Sequence, residues 1–285
     1  MLLTSKTTPP YFPEHEQTTI LRLGLHPLQH KDWLVVDEDF LQFQNHKLQM
    51  GQLHPDKVFR ALPASRAAQI EFGDYLLDHL KRHHAHEYRI NEDELIHQDS
   101  ATHHPIVSGD LWQSSLWIQE DICLLEASDS GYVLSAASLC SPSNWKLEEK
   151  IGKTVDHIHD PVPGYQQELA ERVNRLLKGI KPAKPLLRYN WSLQASSELC
   201  WREDIEQPLD SLHWRVERQT FLRLPQTGAI VFGIRLFIHS IETMAKLGDF
   251  EKSLQTIMTQ LPEETVNYKG LNNLLGDFGI REGKK

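Results

Sequence analysis

Apolar and polar positions change rhythm along this chain, and the change divides it. Between residues 65 and 81 the apolar side chains Ala67, Ala68, Ile70, Tyr75, Leu76, Leu77 and Leu80 recur near helical spacing, which predicts an amphipathic helix. Beyond residue 120 the pattern turns to strands. Residues 121–127 (DICLLEA) and 132–139 (YVLSAASL) flank Ser128-Asp129-Ser130-Gly131, a hairpin turn in which Gly131 supplies a positive φ. A short helix is expected at 143–152, with Ser143 as its cap and Gly152 as its stop. A loop at 156–164 follows, and then a helix at 166–178 ended by Gly179 and Pro182. Three strands complete the set at 186–193, 212–224 and 229–238, with a turn at 225–228 and a closing helix at 241–258.

The flanks are less regular. Residues 1–19 carry Pro9, Pro10 and Pro13 among polar residues and read as an extended arm. A short apolar segment at 21–28 and an Asp-capped element at 32–40 precede the first helix. Residues 83–99 are polar and read as helix end plus loop, and 267–285 as a peripheral tail. Two strands, short helices, then three strands give an α+β fold. The simplest packing is one antiparallel five-stranded sheet with helices on one side, an arrangement shared by PAS-type domains and other α+β sheets. The expected division is an N-terminal arm and helical extension (1–110), a core (111–262) and the tail (263–285).

Composition narrows the function classes. The chain has 285 residues, 40% hydrophobic and 24% charged, enough for one large domain or two small ones. A net charge of -9 argues against nucleic acid and against an anionic membrane surface. No run approaches the roughly 18 apolar residues of a membrane span. The most apolar stretch, 229–238, contains Arg235. Residues 1–16 lack the basic and apolar regions of a secretory signal. Three cysteines are too few and too scattered for a disulfide framework or for a zinc or iron–sulfur cluster, so a reducing, cytoplasmic setting is expected. Neither a Gly-x-Gly-x-x-Gly turn nor a Walker loop occurs, so redox chemistry would draw its electrons from another protein.

Sixteen histidines stand out. His157 and His159 lie in a loop stiffened by Pro161 and Pro163, beside Asp156 and Asp160, a setting able to aim a neutral imidazole at a metal. The bland alternative is a surface loop. The pairs His83-His84 with His86, and His103-His104, lie in polar surroundings without zinc-protease spacing and read as solvated. Along 215–221 (RVERQTF), period-2 alternation puts Arg215, Glu217 and Gln219 on one face and Arg218 and Thr220 on the other. Buried charges need partners or a task. Here they form either a ladder with Arg188 and Arg235 or the wall of a polar pocket. In that pocket Glu217 binds an amine and Arg218 an acidic cofactor group. On 187–193 the apolar face is core, and Asn190 is either a ligand donor or a satisfied buried amide. Ser108, Cys123 and Cys140 have no nucleophile context.

Several segments occur together in one order: 21–28 (LRLGLHPL), 33–40 (WLVVDEDF), 139–145 (LCSPSNW), 158–164 (IHDPVPG), 188–192 (RYNWS), 215–220 (RVERQT), then Leu224-Pro225 and 228–232 (GAIVF). Over residues 21–241 the chain thereby resembles the haem-dependent oxidative N-demethylase family. The resemblance implies a PAS-like domain holding haem b, and oxidative removal of a methyl group from a small methylated amine with oxygen, releasing formaldehyde. It also implies electrons from a flavin and iron–sulfur reductase partner. Through the Ile-His-x-Pro-Val-Pro pattern it points to His159 as iron ligand, with His157 as the alternative. It makes Glu217 and Gln219 catalytic candidates, and Arg188, Asn190 and Arg218 cofactor-binding ones. The rival expectations are a non-catalytic haem sensor or carrier of the same fold, and a haem-free partner-binding protein.

Overall fold

A computed structural model of the chain describes residues 9–11, 23–205, 211–268 and 271. Most of the predicted N-terminal arm, and the tail apart from Asn267, Tyr268 and Leu271, lie outside the described residues.

The N-terminal third builds β1 (His26–Pro27), a 3-10 turn (His30–Asp32), α1 (Phe40–Leu53), α2 (Pro55–Val58), β2 (Phe59–Ala61) and α3 (Arg66–His83). A small sheet follows, of β3 (Tyr88–Ile90), β4 (Glu94–His97) and β5 (Thr102–Pro105), the first two within 83–99, where the polar sequence suggested helix end plus loop. Next come α4 (Leu111–Ser115), β6 (Asp121–Ser128), β7 (Gly131–Ser138), α5 (Leu147–Lys150) and α6 (Val155–Ile158). A π turn at Tyr165–Leu169 leads into α7 (Ala170–Gly179), then β8 (Leu186–Gln194), β9 (His213–Arg223) and β10 (Ile230–Ser240). The predicted closing helix is broken into α8 (Ile241–Ala245) and α9 (Phe250–Gln260), with Gly248 between them at a φ of 58°, and α10 (Glu263–Tyr268) follows.

All five predicted strands form within a residue or two of their expected limits. They make the centre of an antiparallel sheet with the order β1-β8-β9-β10-β6-β7-β2. Among the described residues the sheet therefore has seven strands rather than five. Its two edges are finished by β1 and β2, from the first 61 residues. Strands of two and three residues leave no readable period, so sequence alone missed them.

Helices cover both faces of the sheet, not one. On the first face, Ala68, Phe72, Leu76 and Leu80 of α3 share a buried cluster with Ile122, Leu124, Leu222 and Val231. On the second, α5, α6 and α7 bring Leu147, Val155 and Leu177 against Cys123, Leu125 and Ile230. A central sheet that is apolar on both sides needs cover on both. The connection between β7 and β8 supplies one layer and the N-terminal extension the other.

Candidate functional site

The loop predicted at 156–164 begins as α6, whose first turn is capped by Thr154, its hydroxyl accepting from the His157 amide at 3.3 Å. The helix places its two histidines differently. The His157 side chain is 69% exposed and sits 3.9 Å from Asp160 at the surface. His159 turns inward. Its Nδ1–H donates to the Val155 carbonyl at 2.8 Å, and its ring stacks on Tyr165 with centroids 4.8 Å apart. That bond puts the proton on Nδ1 and leaves the lone pair on Nε2, the arrangement that presents an imidazole to a metal.

The expected orienting carboxylates have other tasks. Asp156 accepts from the Tyr165 hydroxyl at 3.0 Å and from Asn174 Nδ2 at 2.7 Å, fixing the ring under His159. Asp160 accepts from Gln166. Burial, and then the nearby Arg188 charge, hold the His159 pKa below its ordinary value, although its bond to Val155 works the other way.

Arg188 belongs to β8 on the second face of the sheet. It is paired in register with Gln219, and its neighbour Asn190 with Glu217. The Glu217 carboxylate is held on three sides. Asn190 Nδ2 donates to it at 3.2 Å and Gln219 Nε2 at 2.9 Å, while Arg215 Nε lies 3.5 Å away. Arg215 is fully buried and also donates to the carbonyls of Leu199 and Ser141. A carboxylate so held keeps one orientation and still presents part of its surface, since its side chain is 16% exposed. Burial lowers the Arg188 pKa, with Glu217 as its main opposing partner. The Nε of Arg188 is buried and has no hydrogen-bond partner among the described residues.

Arg218 does not join this group. It lies on the first face, buried, donating from Nη1 to the Trp33 carbonyl at 3.0 Å and from Nη2 to that of Asp32 at 2.5 Å. Odd and even positions of a strand point to opposite faces, so Arg218 and Glu217 cannot line one pocket. Of the residues singled out in the sequence, His159, Arg188, Asn190, Glu217 and Gln219 come together electrostatically or by hydrogen bonds on one face, and His157 and Arg218 do not. Tyr165 and Arg215 complete the surroundings. Strand alternation already placed Arg215 beside Glu217, whereas nothing in the pattern announced Tyr165.

This group suits haem. A guanidinium whose Nε is buried without a partner can take an acidic group, and a part-buried imidazole with its lone pair on Nε2 can take a metal. The reading of the other histidine clusters needs correction, because His84 and His104 are buried rather than solvated. Cys123, Cys140 and Cys200 are buried free thiols, each with its pKa raised by burial, Cys200 to about 12, so none is poised as a nucleophile. Among the described residues no helix is long and apolar enough to cross a membrane. The family model described as "Haem-dependent oxidative N-demethylase, alpha subunit-like" matches residues 24–276. It spans the whole sheet together with the His159 and Glu217 segments, and the chain belongs to that family.

Proposed function

We propose that the chain binds haem b on the second face of its sheet and oxidatively removes a methyl group from a small methylated amine. The observation that carries this reading is half-buried Arg188, its Nε buried without a hydrogen-bond partner, standing between His159 and Glu217 in the electrostatics of that face. The order of the five central strands, with α5 to α7 joining β7 to β8, supports treating this core as PAS-like.

His159 would hold the iron through Nε2, and Arg188 would pair with a propionate. When bound, haem supplies the activation of oxygen that oxidises the N-methyl group, leaving demethylated amine and formaldehyde. The rest is done by side chains of the sheet. Glu217, kept in place by Asn190, Gln219 and Arg215, offers a fixed negative charge to the ammonium of the substrate and so positions the methyl group. Gln219 holds that carboxylate from the neighbouring position of the same strand face. Arg218 has no part in the site and ties the N-terminal segment to the sheet. Two electrons per turnover would come from a flavin and iron–sulfur partner, and membership of an alpha-subunit-like family supports a partner subunit. The cytoplasm, where such partners work reduced, is the compartment we propose.

Absorption spectra of protein supplied with haem, compared among wild type, His159→Ala and His157→Ala, test the ligand. The expected result is a Soret band lost or displaced in His159→Ala alone; an unchanged spectrum in that variant would overturn the assignment. Formaldehyde release from dimethylamine or trimethylamine, with oxygen and a reductant, tests the reaction. Haem binding without formaldehyde for any methylated amine would make the chain a haem sensor or carrier. A colourless wild type would leave the partner-binding reading.

A further inference from the structure

A second group of imidazoles lies away from Glu217, at the C-terminal end of α3. His79 and His83 are four residues apart on this helix and so share one of its faces. The 3-10 turn of the N-terminal segment sets His30 against them, with ring centroids 5.0 Å from His79 and 5.4 Å from His83. One nitrogen from each of the three rings can be chosen so that all lie within 4.8 Å of one another. Nδ1 of His30 and Nε2 of His83 are 3.4 Å apart.

Two features distinguish this group from a chance gathering. His79 is only 1% exposed, and neither of its ring nitrogens has a hydrogen-bond partner among the described residues. Leaving both nitrogens of a buried imidazole unpartnered is costly, because water has been removed and nothing replaces it. The second feature is the tautomer available to His30. Its Nε2 is 2.6 Å from the Tyr75 hydroxyl. An N–H donated there leaves the lone pair on Nδ1, the nitrogen that faces His83, which is how an outer hydrogen bond prepares a metal-binding histidine.

We propose that His30, His79 and His83 form a zinc site, with a fourth position open to solvent beside the exposed His83. Three imidazoles suit zinc, and one pair of their nitrogens already stands near the separation that a tetrahedral ion requires. Bonds of about 2.05 Å from a tetrahedral ion separate its ligand nitrogens by about 3.3 Å, whereas a square-planar ion with similar bonds would bring neighbouring ligands to about 2.9 Å. The 3.4 Å between His30 and His83 fits the first value. The metal fastens the turn at His30–Asp32 to α3 just before the Asp32 and Trp33 carbonyls that receive Arg218. It is therefore a staple between the N-terminal segment and the body of the fold, independent of the face that carries Glu217.

The test uses the tag-free full-length chain, with zinc as the probe and no reliance on turnover. Zinc content after dialysis should be one equivalent per chain in wild type, with zinc bound in competition with a chromophoric chelator. His83→Ala and His30→Ala should lose that equivalent while keeping the wild-type far-UV circular dichroism. His103→Ala, at an exposed histidine paired with Glu94, should retain it. Cobalt in place of zinc should give the strong visible bands of a tetrahedral ion in wild type and not in His83→Ala. Equal zinc in wild type and both variants would place the metal elsewhere and overturn the proposal. No zinc in wild type would also overturn it, and would make the contact of His30 with His83 a hydrogen bond alone.

Discussion

Strand β9 and its neighbours β8 and β10 carry charge on both faces of the sheet, and they do not use all of it alike. On the first, Arg218 and Arg235 commit most of their donors to the fold, although the buried Nε of Arg235 has no hydrogen-bond partner among the described residues. Arg218 donates to two backbone carbonyls, and Arg235 meets Asp37 through a two-oxygen contact at 2.9 Å while lying over the Phe43 ring at 4.0 Å. On the second face, Glu217 is anchored and Arg188 beside it is left short of partners. A guanidinium bonded to carbonyls or a carboxylate holds a structure together, Arg215 on the second face included, while Arg188, with an unpartnered Nε, keeps donor capacity for a ligand. The same contrast separates two histidines. Nε2 of His46 donates to the Cys140 carbonyl at 2.9 Å, whereas His159 is bonded to the chain through Nδ1.

Removing a committed charge should have the largest effect on folding. Arg235→Ala leaves Asp37 without its cation inside the protein and should cost about 3–5 kcal/mol. Urea unfolding checks this, and a loss below about 1 kcal/mol would erase the distinction between the faces. Haem bound per folded molecule should not change. Glu217→Gln removes the negative charge from the second face while keeping the shape. It should lower kcat/KM for the amine by about 10- to 100-fold, the worth of a charge-assisted hydrogen bond, with haem content preserved. A fall in haem content with unchanged kcat/KM per bound haem would move Glu217 from substrate to cofactor. Arg188→Met should weaken haem about tenfold and leave urea stability of the haem-free protein within about 1 kcal/mol, or raise it, since a desolvated charge disappears. A large stability loss there would mean that Arg188 is committed to the fold after all.

The sequence made one side of this contrast readable. Period-2 alternation separated Glu217 from Arg218 without any structure, and the pattern around His159 had singled out the histidine that turns inward. The partners of Arg218 were not, because the carbonyls of Asp32 and Trp33 lie more than 180 residues away. The helix α1 was missed for a related reason: its inward face mixes Phe40, Phe43 and Met50 with buried Gln44, His46 and Lys47, which breaks the apolar stripe. Lys47 alone donates to the carbonyls of Ser115, Ile118 and Glu120, a polar core that hydrophobic periodicity cannot announce. The 3-10 turn that brings His30 to α3 is likewise three residues of tertiary contact, not a motif.

The smallest predicted effect sharpens the histidine comparison through pH. Burial, with only partial opposition from the Cys140 carbonyl, lowers the His46 pKa to about 4. In the unfolded chain His46 should titrate near its ordinary value of about 6.5. Between these values the unfolded state holds a proton that the folded state refuses, so stability rises with pH across the window and falls on acidification. From pH 7 to 5.5 the loss through His46 should be about 1 kcal/mol. His104, also held at about 4 by burial, contributes a loss of the same sign. In His46→Gln, where an amide N–H can still reach the Cys140 carbonyl, urea midpoints measured at the two pH values should lie closer together than in wild type by that amount. An unchanged difference would show that His46 is protonated in the fold, and that its commitment to the Cys140 carbonyl does not depend on remaining neutral.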